Sequence, residues 1–142
     1  MKISKRGINL IKSFESYRYH AYIPVGGDVW TVGYGHTKGV HKYTKASKAK
    51  AEELLIDDLQ GFESAVRRRV HVKINQNQFD ALTSFLYNLG EYAAPDVFAA
   101  INERHFKTAA KYMKEYDKGP GYTVLAGLVN RRKKEVALFL RK

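Results

Sequence analysis

Cysteine is absent from the 142 residues. That excludes disulfides, thiolate nucleophiles and cysteine-ligated zinc, and it suits a reducing compartment. Also missing is any apolar run of about twenty residues that could cross a bilayer. The N-terminus, MKISKRGINLIKSFESYRYH, carries positive charge but no apolar stretch of signal-peptide length, because Lys12 and Glu15 interrupt it. The expectation is a soluble chain made in the cytoplasm. No internal repeat or low-complexity tract breaks the sequence, and one domain accounts for its length. Acidic residues are scarce: 14 Asp and Glu face 25 Lys and Arg, a formal charge of +11. Such a field draws a protein towards polyanions, whether nucleic acid, anionic lipid or anionic wall polymer, without choosing among them.

What is present suffices for a core. Hydrophobic residues make up 44% of the chain, with seven Phe and ten Tyr, which separates it from disordered sequences. Ser4 can cap a helix whose Ile8, Ile11 and Phe14 keep helical spacing and whose last turns carry Glu15. From Tyr17 to Gly35, Tyr, Val, Trp and Thr are broken by Pro24, Gly26, Gly27, Gly33 and Gly35. This composition predicts a small antiparallel sheet joined by tight turns. Thr44 or Ser47 then starts a long helix through Ala51, Leu55, Leu59, Phe62 and Val66, with Gly61 inside it. Asn75 caps an apolar helix that stops at Gly90. Further helices open at Pro95 or Asp96 and span Lys107 to Tyr116; after the KGPG break, Leu128 to Leu140 forms the last. The expected class is α+β. A sheet-containing lobe at roughly 12–46 is joined by a helix at about 47–70 to a helical lobe at 66–142 that includes the N-terminal helix. Ligands of such an arrangement sit in a cleft between lobes.

The segment FESYRYHAYIPVGGDVWTVGYGHT, Phe14 to Thr37, concentrates the chemistry. Glycosidic hydrolysis needs one group to protonate the departing oxygen and another to hold water, or to attack, from the opposite side. Glu15 lies among Phe14, Tyr17, Tyr19 and Tyr22, where partial burial favours the protonated form. Asp28 follows Gly26-Gly27, where a turn exposes it in ionised form. Spacing alone leaves a bland alternative open, in which Glu15 pairs with a surface lysine and Asp28 only favours its turn. His36 is read as structural, hydrogen-bonded between sheet and helix. The other histidines, His20, His41, His71 and His105, lack ligand spacing, so a metal site is not expected, and no cofactor is implied. Gly33 and Gly35 are not followed by the Lys and Ser/Thr of a phosphate loop. They suit close backbone approach instead. Tyr34, Gln78, Asn88 and Tyr92 are candidate substrate-binding groups, since amides and flat aromatics suit sugar hydroxyls and ring faces; each also suits a core or capping position.

The same residues resemble the phage-type lysozymes, glycoside hydrolase family 24. Glu15, Arg18, Ala21, Tyr22, Trp30, Thr31, Gly33, Tyr34, Gly35, His36 and Thr37 match that family's opening pattern, and QNQFDALTSFLYNLG and GLVNRRKKEVALFL continue it in order. The resemblance implies Glu15 as general acid, Thr31 as the hydroxyl placing the attacking water, and Arg131 as the better match for a basic group that supports the glutamate. It also implies a muramidase that opens the β-1,4 bond between N-acetylmuramic acid and N-acetylglucosamine in peptidoglycan, with inversion. One departure stands out. Pro24 occupies the usual place of the family's loop Asp or Cys, and the loop to Thr31 is one residue longer. Asp28, the loop's only carboxylate, is the candidate replacement; the alternative leaves Glu15, Thr31 and solvent to do the work. A protein of this kind acts as a monomer, stays in the host cytoplasm, and reaches the wall through a separate holin.

Basic residues cluster at Lys38 to Lys50, Arg67 to Arg69, and Arg131 to Lys134 with Arg141 and Lys142. Solvated helix faces explain them simply. Anionic envelope lipid or lipopolysaccharide are candidate partners that would explain them functionally, as would membrane perturbation by the last helix. Nucleic acid is not expected as a partner, because the aromatics do not alternate with Lys and Arg on a readable sheet and no helix-turn-helix pattern occurs. A cationic killing protein that needs no catalysis is a third reading.

Overall fold

The computed structural model describes residues 1–24, 27 and 29–142. Asp28 therefore lies outside the described residues. The elements run α1 (Lys5–Phe14), β1 (Arg18–Tyr22), β2 (Thr31–Gly33), α2 (Lys48–Arg69), α3 (Gln76–Leu89), α4 (Pro95–Asn102), α5 (Phe106–Lys114), a 3-10 turn at Pro120–Tyr122, and α6 (Ala126–Phe139). The class is α+β, as expected. Two compact units form: Met1–Gly7 with Gly61–Lys142, and Ile8–Gln60. Both divisions fall inside helices, after Gly7 in α1 and after Gln60 in α2, whereas the sequence suggested lobes at 12–46 and 66–142.

In the Ile8–Gln60 unit, β1 and β2 pair antiparallel, with Arg18 opposite Gly33 and Tyr22 opposite Thr31. Four steps along β1 match two along β2, so β1 is bulged between its ends. Ser47 caps α2 by accepting the Lys50 N–H at 3.2 Å. Gly33 has a φ of +65°, and a Cβ there would lie 2.9 Å from the Ala51 Cβ. Only glycine permits both the left-handed backbone and this approach of β2 to α2. Ile11, Val32, Ala51, Leu55 and Leu59 are the unit's buried apolar centre.

In the other unit α3 packs against α6, while α5 packs against both α4 and α6. Phe79, Leu82, Phe85, Leu86, Ile101, Met113 and Phe139 are buried there. The start of α1 is pinned to α3. Ser4 donates through N–H (2.9 Å) and hydroxyl to Asp80, whose side chain is fully buried and also accepts from Gln76 at 2.8 Å. A Cβ on Gly7 would lie 2.8 Å from the Asp80 Cγ, so glycine sets how closely helix and carboxylate meet. Asn75 caps α3 in a reciprocal box with Gln78. Helix α5 stops at Lys114, two residues before the expected end, because Tyr116 is held from outside the helix: its hydroxyl donates to Asp96 at 2.6 Å and its carbonyl accepts from Arg132 at 2.8 Å.

Candidate active site

Glu15 closes the first helix. Its N–H donates to the Ile11 carbonyl at 3.1 Å, one residue past the end of α1, and its side chain is half-buried at the turn into β1. Because Arg18 pairs with Gly33, Glu15 and Tyr34 lie at the same end of the strand pair. Thr31 begins β2, about 7 Å along the strand from Gly33. It is 5% exposed, and its hydroxyl donates to the Val29 carbonyl at 3.1 Å. Tyr34 is buried, its ring 5.5 Å from that of Tyr17, whose hydroxyl donates to the Ala46 carbonyl at 2.7 Å. The Lys12 ammonium sits 5.2 Å from the centre of the Tyr34 ring and donates to Glu52 at 2.9 Å. That hydrogen bond, opposed by partial desolvation and aided by Tyr34, raises the Lys12 pKa above the ordinary lysine value.

His36 follows in the next turn. Its Nδ1 lies 2.8 Å from Asp58 Oδ2 on α2, and its Nε2 lies 2.8 Å from the Lys38 carbonyl. Both ring nitrogens face oxygen acceptors, which fixes the ring between loop and helix.

The remaining candidates belong to the Met1–Gly7 and Gly61–Lys142 unit. Gln78 takes the capping alternative: its side-chain oxygen accepts from Asn75 N–H at 2.9 Å. Asn88 is exposed on the last turn of α3, and its side-chain oxygen accepts from Arg132. Tyr92 is 81% exposed, with the Arg68 guanidinium 5.9 Å from its ring. Arg131 is 4% exposed; it donates to Glu135 at 3.1 Å and to the Ser84 carbonyl at 3.0 Å. Arg132 is buried as well, donating to Glu135, Asn88 and the Tyr116 carbonyl. Burial lowers its basicity and Glu135 opposes that. The reading of Arg131 to Lys134 as one solvated basic face is thus corrected, because Glu135 draws two of the four into the interior. Leu138 and Phe139 are buried too, while Leu140 is exposed.

Residues 12–135 match the family model for phage lysozyme. The chain belongs to the phage lysozyme family. It is 44% identical over 144 residues to an endolysin of Bacillus phage B103, covering 99% of this chain and 54% of that protein. An endolysin of Salmonella phage P22 is 37% identical over 150 residues, covering 99% of each. Among solved structures, the muramidase domain of SpmX from Asticaccaulis excentricus has a TM-score of 0.94 at 39% identity, and a mutant P22 lysozyme has 0.88 at 34%, each with 99% of both chains covered. The chain spans between 54% and 60% of the length of the first curated relatives it matches.

Glu15, Thr31, Tyr34 and His36 fall in one unit, and Gln78, Asn88 and Arg131 in the other. Asp58, Lys12 and Glu52 escaped the sequence reading, because nothing local marks a partner 22 or 40 residues away. Glu135 did leave a signal. Its spacing from Arg131 and Arg132 is i,i+4 and i,i+3, the helical ion-pair distances. Among the described residues, no group of three or more His, Asp or Glu could hold a metal ion, and no helix is long and apolar enough to cross a membrane.

Proposed function

We propose that this chain is a muramidase that cleaves peptidoglycan at the β-1,4 bond following N-acetylmuramic acid, as an endolysin does for host lysis. Glu15 in its acid form protonates the departing glycosidic oxygen. Water attacks the anomeric carbon from the opposite face, and Asp28 takes the proton that the water gives up. The observation that carries the reading is Thr31. The proton of its buried hydroxyl is committed to the Val29 carbonyl, so towards a water the oxygen acts only as an acceptor. A water donating to it turns its lone pairs elsewhere, which is what a nucleophilic water requires. Support of Glu15 by Arg131, and sugar contacts by Tyr34, Gln78 and Asn88, are proposed on the sequence reading alone. Action as a monomer, passage through a separate holin and a cytoplasmic origin belong to the same reading.

The test is hydrolysis of purified peptidoglycan by wild type, Glu15→Gln and Asp28→Ala, with the new reducing ends identified. Wild type should release muramic-acid ends, and Glu15→Gln should be slower by roughly 100-fold or more. Equal activity of wild type and Glu15→Gln removes the acid from the mechanism. Near-normal activity of Asp28→Ala removes only the second carboxylate.

A further inference from the structure

The charge of this chain is divided very unevenly. The unit formed by Met1–Gly7 and Gly61–Lys142 holds 18 Lys and Arg against 8 Asp and Glu, while Ile8–Gln60 holds 7 against 6. Burial sharpens the imbalance. Arg131 and Arg132 are interior, but so are Glu63, Asp80 and Glu135. The surface of the first unit is left with sixteen cations and five carboxylates.

One stretch of that surface is organised. Lys107, Lys111 and Lys114 lie on α5 at i, i+4 and i+7, all exposed, while Ala109, Ala110 and Met113 face inwards. Their Cα atoms span about 10 Å of helix axis, close to one Debye length at physiological ionic strength, so a single polyanion feels them together. None of the three is ion-paired among the described residues. The row continues onto α6, because Lys114 and Lys133 line one cavity of about 290 Å³ with Asp117, Val129 and Arg132. The only carboxylate in that lining, Asp117, is paired with Lys118 at 3.0 Å. The cavity therefore presents positive charge without a competing free anion.

We propose that the α5 stripe and Lys133 form a docking surface for phosphodiester-bearing polymer attached to the cell wall. The inference rests on the muramidase reading for its location at the wall, but concerns binding rather than cleavage. Charge complementarity selects the polyanion. The character of the stripe selects among polyanions: the large apolar and aromatic side chains of α5, Phe106 and Tyr112, are half-buried, which leaves no fully exposed apolar group to insert into a bilayer and no fully exposed ring on which bases would stack. Four flexible ammonium groups suit a hydrated chain of phosphates. The lopsided charge orients the enzyme, holding the cationic unit on the wall polymer and keeping the protein near its substrate between cleavage events.

The test uses K107E/K111E/K114E and the milder K107Q/K111Q/K114Q in the full chain. Co-sedimentation is measured with purified walls before and after acid removal of their phosphodiester polymer. Cleavage is measured separately on soluble peptidoglycan fragments lacking that polymer. Charge reversal should weaken sedimentation with intact walls on the order of 100-fold, the Gln variant less, and both should cleave soluble fragments like wild type. Stripping the walls should abolish the difference, and raising salt should weaken wild type more steeply than the variants. Equal binding of wild type to stripped and intact walls, or of variant and wild type to intact walls, overturns the proposal. So does stronger stripe-dependent binding to anionic vesicles or duplex DNA than to intact walls. Failure of wild type to cleave the soluble fragments would instead strike the muramidase reading, with wall binding still measurable.

Discussion

Replacing Glu135 with glutamine removes one negative charge from a position with no solvent exposure. Its carboxylate receives Arg131 Nε at 3.1 Å, Ser84 Oγ at 2.6 Å and an Arg132 guanidinium nitrogen. The amide of glutamine offers one acceptor where three donors converge, and its NH2 must face one of them. Two guanidinium groups, 5% and 1% exposed at the side chain, then lose their shared counter-charge. Removing one partner of a buried pair costs about 3–5 kcal/mol, against a total stability of about 5–15 kcal/mol for a domain. For this chain length 1 kcal/mol moves Tm by roughly 3–5 °C, so the melting point should fall by roughly 10–25 °C. Urea unfolding followed by far-UV circular dichroism gives the free energy, and calorimetry gives Tm. Glu53→Gln is the internal control. It breaks only the Lys50–Glu53 pair at 3.7 Å, whose side chains are 59% and 73% exposed, and should cost under about 1 kcal/mol. If Glu135→Gln costs no more than that control, the two arginines are not dependent on Glu135 and the reasoning fails.

Two further outcomes follow from single contacts. Gly33→Ala should destabilise by about 1–3 kcal/mol, since it combines a left-handed φ with a Cβ 2.9 Å from Ala51; adding Ala51→Gly should recover only the steric part, which thermal melts of the two variants separate. Tyr116 has its phenol pushed up to about 12 from 10.0 by burial first and the Asp96 hydrogen bond second. The folded state thus holds this proton more tightly than the unfolded chain. The stabilisation is complete below pH 10 and is lost as pH rises through 12. Tyr116→Phe should therefore show a shallower loss of stability than wild type between those values; parallel curves would contradict the assigned environment.

Much of this protein was legible from residue order alone. Helical periodicity with Ser4, Ser47, Asn75 and Gly90 at the boundaries placed the helices, and glycine and β-rich composition placed the small sheet, because caps and periods are local properties of the backbone. The opening motif marked Glu15, Thr31 and His36 as candidates because a carboxylate, a hydroxyl and an imidazole fall with the turns in one short segment. Position along the chain could not say which charges are interior. NRRKKEV reads as a basic helix face, yet Arg131 and Arg132 are buried because Ser84 and Asn88, more than forty residues earlier on α3, complete their hydrogen bonding with Glu135. Asp58 likewise meets His36 only through packing. Burying a charge is costly unless every partner arrives together, and those partners come from separate elements. The sequence alone therefore determined the helices, the sheet and the segment that carries the candidate catalytic residues. Tertiary structure alone decided which cations serve the interior and which are left at the surface.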